Sequence, residues 1–137
     1  MAGHRAESDL LSNARELALL VAAASDEIDR ERELPPQLAD TIAARGFFRL
    51  LLPRSLDGLE IDYLEFLQIV RTVAEADGSV GWCLNQNNVF STVSASMPER
   101  LAREIWGDPR AVVANGPPGT SEAVPVDGGY RLTGRWD

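Results

Sequence analysis

Apolar residues recur at alternating spacings of three and four along most of this chain, and that period predicts amphipathic helices. The first stripe predicts one long helix and consists of Leu10, Ala14, Leu17, Val21, Ala24 and Ile28. A second, shorter helix is predicted after Pro35 and Pro36, because proline suits the opening turn of a helix. Gly46 stands where its C-terminal cap is expected.

A capping signal predicts the third helix, because the Asp62 side chain can accept a hydrogen bond from the Glu65 N–H. Its predicted buried stripe is Tyr63, Phe66, Leu67, Val70, Val73 and Ala74. We predict that Ser79 caps a fourth helix and that a fifth, short helix follows Pro98 and ends at Trp106. Residues 47–52 are too few and too apolar for an exposed helix, so we expect them to cross the core in extended form.

The pattern changes after Gly107, where β-branched residues are interrupted by glycine and proline. This pattern predicts strand, loop, strand, turn and strand, with the turn at Asp127, Gly128 and Gly129 and the last strand over residues 130–136. We therefore predict a helical N-terminal domain over residues 1–107 and the start of a β-domain over residues 108–137. The last strand has no later strand to pair with, so we expect the chain to be part of a longer protein.

Composition narrows the possible partners and compartments. The net charge is −8, and all 13 basic residues are arginine without a basic run, which argues against nucleic-acid binding. The single cysteine, Cys83, is expected to be a buried small residue and fits a cytoplasmic protein. No stretch is long and apolar enough to predict a membrane span.

Candidate chemistry is concentrated in the fourth helix. The only histidine is His4, so no histidine-based catalytic triad can be assembled, and neither a zinc cluster nor a dinucleotide fingerprint is present. Residues 78–98 contain no charge but many amide and hydroxyl side chains. They are typical either of a pocket wall or of a central helix whose amides bond to neighbouring backbone. Trp82 lies in this stretch, and tryptophan is more often a core residue than a site residue.

Three stretches together resemble the N-terminal part of an acyl-CoA dehydrogenase superfamily flavoprotein. They are "GFFRLLLP" with the later "AEADGSVGW", the loop "NGPPG" at residues 115–119, and "VDGGYRLTGRW". From the residues alone, the "NGPPG" loop is either an interdomain connection or a rigid ligand loop. The resemblance implies a mainly α fold, with the family's helical N-terminal domain followed by the first strands of its middle β-domain, truncated there.

The resemblance also implies a flavin site, with FAD or reduced FMN or FAD as the cofactor. The residues implied on the substrate side of the flavin are Trp82, Asn85, Asn88 and Ser91. The residues implied to contact the flavin itself are Asn115, Gly116, Pro118 and Gly119 at its pyrimidine edge, and Trp136 beside the ring. In true dehydrogenases the catalytic base comes from a C-terminal helical bundle beyond this segment, so we assign no catalytic residue and no metal ligand.

The resemblance implies a flavin-dependent oxidoreductase, either an acyl-CoA dehydrogenase or a reduced-flavin-dependent monooxygenase. "GSVGW" and "GGYRLTGRW" resemble the monooxygenase branch more closely. The expected substrate is a small molecule or an acyl-CoA, and the full-length protein is expected to form a homo-oligomer. The alternative is a noncatalytic helical interaction module or a gene remnant. We expect this chain alone to bind flavin weakly or not at all and to be inactive.

Overall fold

A computed structural model describes residues 9–116 and 119–135 of the chain. The helices of the described part are α1 (Asp9–Glu31), α2 (Pro36–Ala44), α3 (Tyr63–Ala74), α4 (Gly78–Ser91) and α5 (Glu99–Trp106). Two strands follow, β1 (Glu122–Val126) and β2 (Gly129–Thr133). The fold is therefore mainly α with a short β-segment, as predicted. No helix in these ranges is long and apolar enough to cross a membrane.

The main core lies where α3 packs between α1 and α4. The stripe of α1 is buried as predicted at Ala14, Leu17, Val21 and Ile28. The predicted stripe of α3 is wrong in part, because Phe66, Ile69 and Val73 are the buried residues while Tyr63 and Leu67 are 55% and 43% exposed. Helix α3 is apolar on more than one side, so its spacing alone does not show which side meets α1 and α4.

Residues 47–52 cross the core, but the predicted extended form is wrong. A 3₁₀ turn covers Phe47–Arg49, and Leu50 continues in helical geometry with φ −63° and ψ −44°. The N–H groups of Leu59 and Ile61 donate to the carbonyls of Arg49 and Leu50 at 2.9 and 3.0 Å. The Phe47 and Phe48 carbonyls and the Leu50 and Leu51 N–H groups find their partners in side chains of α4, as described below.

The start of α3 is as predicted, whereas the start of α4 is not. The Asp62 side chain accepts from the N–H groups of Leu64 at 2.9 Å and Glu65 at 3.3 Å. Helix α4 is capped by Asp77 and not by Ser79. The Asp77 carboxylate can accept several bonds and carries the negative charge that a helix N-terminus favours, so it takes the cap from the neighbouring hydroxyl.

The close packing of α3 on α4 depends on Gly81. A Cβ atom built on Gly81 would lie 2.4 Å from the Cβ of Ala74. Real carbon atoms do not approach so closely, so the two helices can be this near only because one of them has glycine at the contact.

The strands form an antiparallel hairpin in which Val124 pairs with Arg131 and Val126 pairs with Gly129. The turn is the predicted one, and Gly128 has the positive φ of 82° that it requires. The earlier strand predicted after Arg110 is wrong, because residues 111–116 form no strand in the described chain. Their backbone is instead held partly by a side chain of α4. The domain boundary after Gly107 stays a prediction.

Candidate functional site

The amino end of α4 is fixed by Asp77. Its Oδ1 atom accepts from the Ser79 hydroxyl at 2.5 Å and from the N–H groups of Ser79 and Val80 at 2.9 and 3.1 Å. Its Oδ2 atom accepts from the Ser25 hydroxyl of α1 at 2.9 Å. The Ser79 hydroxyl, together with the other donors, holds the pKa of this carboxyl below its ordinary value of 3.8, although partial burial opposes the shift.

The inner face of α4, formed by Asn87, Asn88 and Ser91, is fully buried. The Asn88 Oδ1 atom accepts from the N–H groups of Leu50 at 2.7 Å and Leu51 at 3.3 Å. Its Nδ2 atom donates to the carbonyls of Phe47 and Leu84, both at 2.9 Å. Asn88 therefore replaces the secondary-structure partners that residues 47–51 lack.

Asn87 connects two separate segments of backbone. Its Nδ2 atom donates to the Phe48 carbonyl at 2.8 Å, and its Oδ1 atom accepts from the Val113 N–H at 2.9 Å. The Ser91 hydroxyl donates to the Asn88 carbonyl at 2.7 Å. The amides of the inner face thus follow the second of the two predicted alternatives, a central helix whose amides bond to neighbouring backbone.

The outer face of α4, formed by Trp82, Cys83, Asn85 and Gln86, reaches the surface. Trp82 is 62% exposed and Cys83 is exposed, while Asn85 and Gln86 are half-buried. The expected burial of Cys83 and the core position more usual for tryptophan are both wrong here. Apolar residues lie on all sides of α4, so its sequence shows no stripe that marks the buried side. The outer face combines an aromatic ring with amides and carries no charge.

A cavity of about 630 Å³ adjoins the outer face, between the end of α1 and the start of α4. It is lined by Ile28, Asp29, Arg32, Glu33, Leu34, Asp77, Ser79, Val80 and Cys83. Sequence reasoning did not predict this cavity, because it depends on how α1 and α4 pack. No cluster of histidine, cysteine and carboxylate side chains suited to a metal ion occurs in the described ranges.

The structure brings the predicted site residues together only in part. Asn115 and Gly119 are exposed, and Gly116 is half-buried. A Cβ on Gly119 would lie 3.6 Å from the Arg135 carbonyl, so Gly119 lies beside the chain that follows β2. Pro118 and Trp136 lie outside the described residues. Asn88 and Ser91 point into the protein, and their expected substrate contact stays a prediction.

Sequence reasoning missed two residues that position this region, Asn87 and Arg49. The Arg49 guanidinium donates to the carbonyls of Trp106 at 2.9 Å and Leu56 at 2.6 Å. It thereby anchors the end of α5, from which the chain leads to the "NGPPG" loop at residues 115–119. The signal for Arg49 was a charged residue inside the apolar run "FFRLLL", where a buried or half-buried cation needs acceptors.

The described residues present an uncharged outer face on α4 and contain no assigned catalytic group. The outer face of α4 offers stacking and hydrogen bonds without charge, and the exposed Asn115 offers a further amide. This arrangement can hold an uncharged planar molecule, and nothing in it singles out an acid or base.

Comparison with known proteins gives the family. The family description "Acyl-CoA dehydrogenase, N-terminal domain" matches residues 5–101. The chain belongs to this family. The acyl-CoA dehydrogenase resemblance inferred from the sequence motifs is thereby confirmed.

Relatives within the family include oxygenases. The chain is 34% identical over 113 residues to an indole-3-acetate monooxygenase of Pseudomonas putida, covering 80% of this chain and 28% of that protein. It is 33% identical over 107 residues to the oxygenase subunit HsaA, a flavin-dependent monooxygenase of Mycobacterium tuberculosis, covering 77% and 27%.

A solved structure gives the same relationship in three dimensions. XiaF from a Streptomyces species, in complex with FADH2 and glycerol, superposes with a TM-score of 0.84 at 28% identity and covers 93% of this chain and 33% of that one. The chain therefore spans about 30% of the length of the relatives that it matches.

Proposed function

We propose that this chain provides the helical N-terminal wall of a reduced-flavin-dependent monooxygenase that acts on a small aromatic molecule. One structural observation carries the proposal, the uncharged outer face of α4 with Trp82 62% exposed. An exposed indole beside two amides is suited to stack on a planar ring and to orient its polar substituents. The monooxygenase names of the relatives support the reaction class.

The residues present fit a flavin in two respects. Gly116 and Gly119 have no side chain to block close approach of a ring to the backbone, and Asn115 is exposed beside them. Asn115, Gly116, Pro118 and Gly119 would hold the flavin edge and Trp136 would lie beside its ring, while Trp82 and Asn85 would face the substrate. Reduced flavin, when bound, supplies the electrons for oxygen activation. These residues would bind and orient the flavin and the substrate and would keep water out of the site.

The charge pattern favours an uncharged aromatic substrate over an acyl-CoA. Residues 78–98 carry no basic group that could pair with the phosphates of coenzyme A. The FADH2 in the Streptomyces structure supports FAD over FMN. The homo-oligomeric assembly and the cytoplasmic location remain predictions from the sequence.

A chimera tests the proposal directly. This chain replaces the matching segment of the Pseudomonas putida indole-3-acetate monooxygenase, and consumption of reduced FAD coupled to oxygenation is measured with an uncharged aromatic and, for comparison, with an aromatic acid. The proposal predicts a chimera that retains flavin and oxygenates a substrate. A correctly assembled chimera that neither retains flavin nor oxygenates any aromatic would contradict the proposal and favour a noncatalytic interaction module.

Two substitutions in that chimera locate the site. Trp82→Ala should raise the KM for the aromatic substrate by about tenfold, the effect expected for loss of one stacking contact. Leu19→Ala is the matched control, because Leu19 is 73% exposed on α1 and lines the groove between α1 and α3. Equal effects of the two substitutions on KM would show that Trp82 does not contact the substrate.

A further inference from the structure

We propose that Asn87 is the positioning residue that fixes residues 111–116 against α4. The inference rests on the proposed function, because its purpose is to set Asn115 and Gly116 at a defined distance from the outer face. The Asn87 side chain is fully buried. Its two side-chain bonds, to the Phe48 carbonyl and from the Val113 N–H, join the core to the segment that carries the candidate flavin residues.

The chain before Val113 is already held in place. Arg49 binds the Trp106 and Asp108 carbonyls at 2.9 and 3.3 Å, and Arg110 Nη2 lies 2.7 Å from Asp40 Oδ1. Val113 also packs against the small core cluster around Trp106. Asn115 and Gly116 follow two and three residues later, so the Asn87–Val113 bond is the anchor adjacent to them.

Asparagine is required here by its two kinds of hydrogen-bonding group. The Phe48 carbonyl needs a donor and the Val113 N–H needs an acceptor, and one planar amide provides both at once. Aspartate retains the acceptor but loses the donor. Leucine, of similar shape, loses both. The two variants therefore separate the Val113 bond from the Phe48 bond.

Amide hydrogen exchange measures the anchor in the folded chain. In Asn87→Leu, exchange of the Val113 N–H should accelerate by about tenfold relative to the Phe66 N–H in α3, as expected for one lost buried hydrogen bond. In Asn87→Asp the ratio should stay near that of the unsubstituted chain, because an oxygen still accepts from Val113. An unchanged ratio in Asn87→Leu would overturn the proposal.

Leu84→Ala is the control for general loss of stability. Leu84 is 1% exposed on the same helix, so its truncation destabilises the core while leaving both bonds of Asn87 in place. It should accelerate exchange of the Phe66 N–H at least as much as that of the Val113 N–H, so exchange of Val113 relative to Phe66 should not rise. A change of this ratio equal to that in Asn87→Leu would show that Asn87 is merely structural.

A second pair of variants tests the same bond without altering α4. Val113→Pro removes the Val113 N–H that donates to Asn87. Val112→Pro is the control, because it introduces proline one residue earlier, at a position that is 51% exposed, and keeps the Val113 N–H. FAD is then titrated while the amide signals of Asn115 and Gly116 are followed. Their FAD-induced shifts should be lost in Val113→Pro and Asn87→Leu and retained in Val112→Pro.

The exchange ratio and the FAD-induced shifts together distinguish a failure of the flavin site from a failure of the positioning role of Asn87. If the exchange ratio responds to Asn87→Leu but FAD shifts no signal in residues 111–116 of the unsubstituted chain, the flavin contact of Asn115 and Gly116 fails and the site role of Asn87 fails with it, while the proposed function itself is decided by the chimera. If FAD shifts Asn115 and Gly116 equally in the unsubstituted chain and in Asn87→Leu, the positioning role alone is overturned.

Discussion

At the scale of single residues, Asn88 shows how one amide can replace secondary structure. It bonds the Leu50 and Leu51 N–H groups and the Phe47 and Leu84 carbonyls from a fully buried position. The surrounding backbone would have to find new partners without it. Asn88 therefore holds the irregular segment before α3 against α4.

Replacing Asn88 by alanine should lower the free energy of unfolding by about 3 kcal/mol or more, since each buried polar group left unpaired costs about 1–3 kcal/mol. Urea denaturation of the purified chain measures this loss. Asn85→Ala, at a half-buried position on the same helix, is the control and should cost less than about 1 kcal/mol. Similar losses in the two variants would contradict the role assigned to Asn88.

Asp77 makes part of the stability depend on pH. Its folded-state pKa is lowered, so its contribution is present above the unfolded pKa and is lost as pH falls through the folded pKa. Asp77→Asn keeps a capping oxygen but removes the charge. The unfolding free energy of the unsubstituted chain should exceed that of Asp77→Asn by a constant amount at neutral pH, and the gap should close below about pH 4. A gap that does not change with pH would contradict this account.

Residue-level predictions succeeded where a local rule decides the outcome and failed where packing decides it. The cap at Asp62 follows from spacing alone and is confirmed. Whether Asn88 lines a pocket or bonds backbone depends on which side of α4 meets residues 47–51. The exposure of Trp82 and Cys83 depends on the same rotation of the helix about its axis. The sequence does not determine this rotation, because apolar residues lie on all sides of α4.

At the scale of elements, the contact between α3 and α4 is set by Gly81. Alanine at an internal helix position normally stabilises a helix by about 1 kcal/mol relative to glycine. Here the added Cβ would lie 2.4 Å from the Ala74 Cβ. Overpacking of this kind costs about 1–3 kcal/mol, so the steric cost should exceed the gain in helix propensity.

Gly81→Ala should therefore lower the melting temperature of the chain. Gly78→Ala is the matched control, because a Cβ on Gly78, at the first position of the same helix, meets no atom within 4 Å. Thermal unfolding followed by circular dichroism compares the two variants. A Gly81→Ala variant at least as stable as Gly78→Ala would show that α3 and α4 can separate without loss.

The five helices of the described chain and the β-hairpin were predictable because period, caps and turn glycines are local signals. The extended forms expected for residues 47–52 and for the segment after Arg110 were not correct. Both segments obtain backbone partners from the side chains of Asn87 and Asn88, which are distant in sequence. An amide that substitutes for a neighbouring strand leaves no periodic pattern to detect.

At the scale of the whole molecule, the fold and the family membership were both predictable from motif order. The hairpin differs from the helical part, because every residue of β1 and β2 is exposed. Its register places Ala123, Pro125, Tyr130 and Leu132 on one apolar face. A two-stranded sheet without a covering layer is marginal in water. The helical part therefore carries the stability of the described chain.

The most direct test of the proposed site is an NMR titration of the isotope-labelled chain with FAD. The sequence leaves open whether the chain alone binds flavin weakly or not at all, but a site formed by the outer face and residues 111–116 requires weak, rapidly exchanging binding. Signal shifts should then be confined to Trp82, Asn85 and Gln86 on the outer face and to Asn115 and Gly116. Gln68, in the separate groove between α1 and α3, provides an internal control. Shifts centred on that groove, or no shift in either the outer face or residues 111–116, would contradict the account.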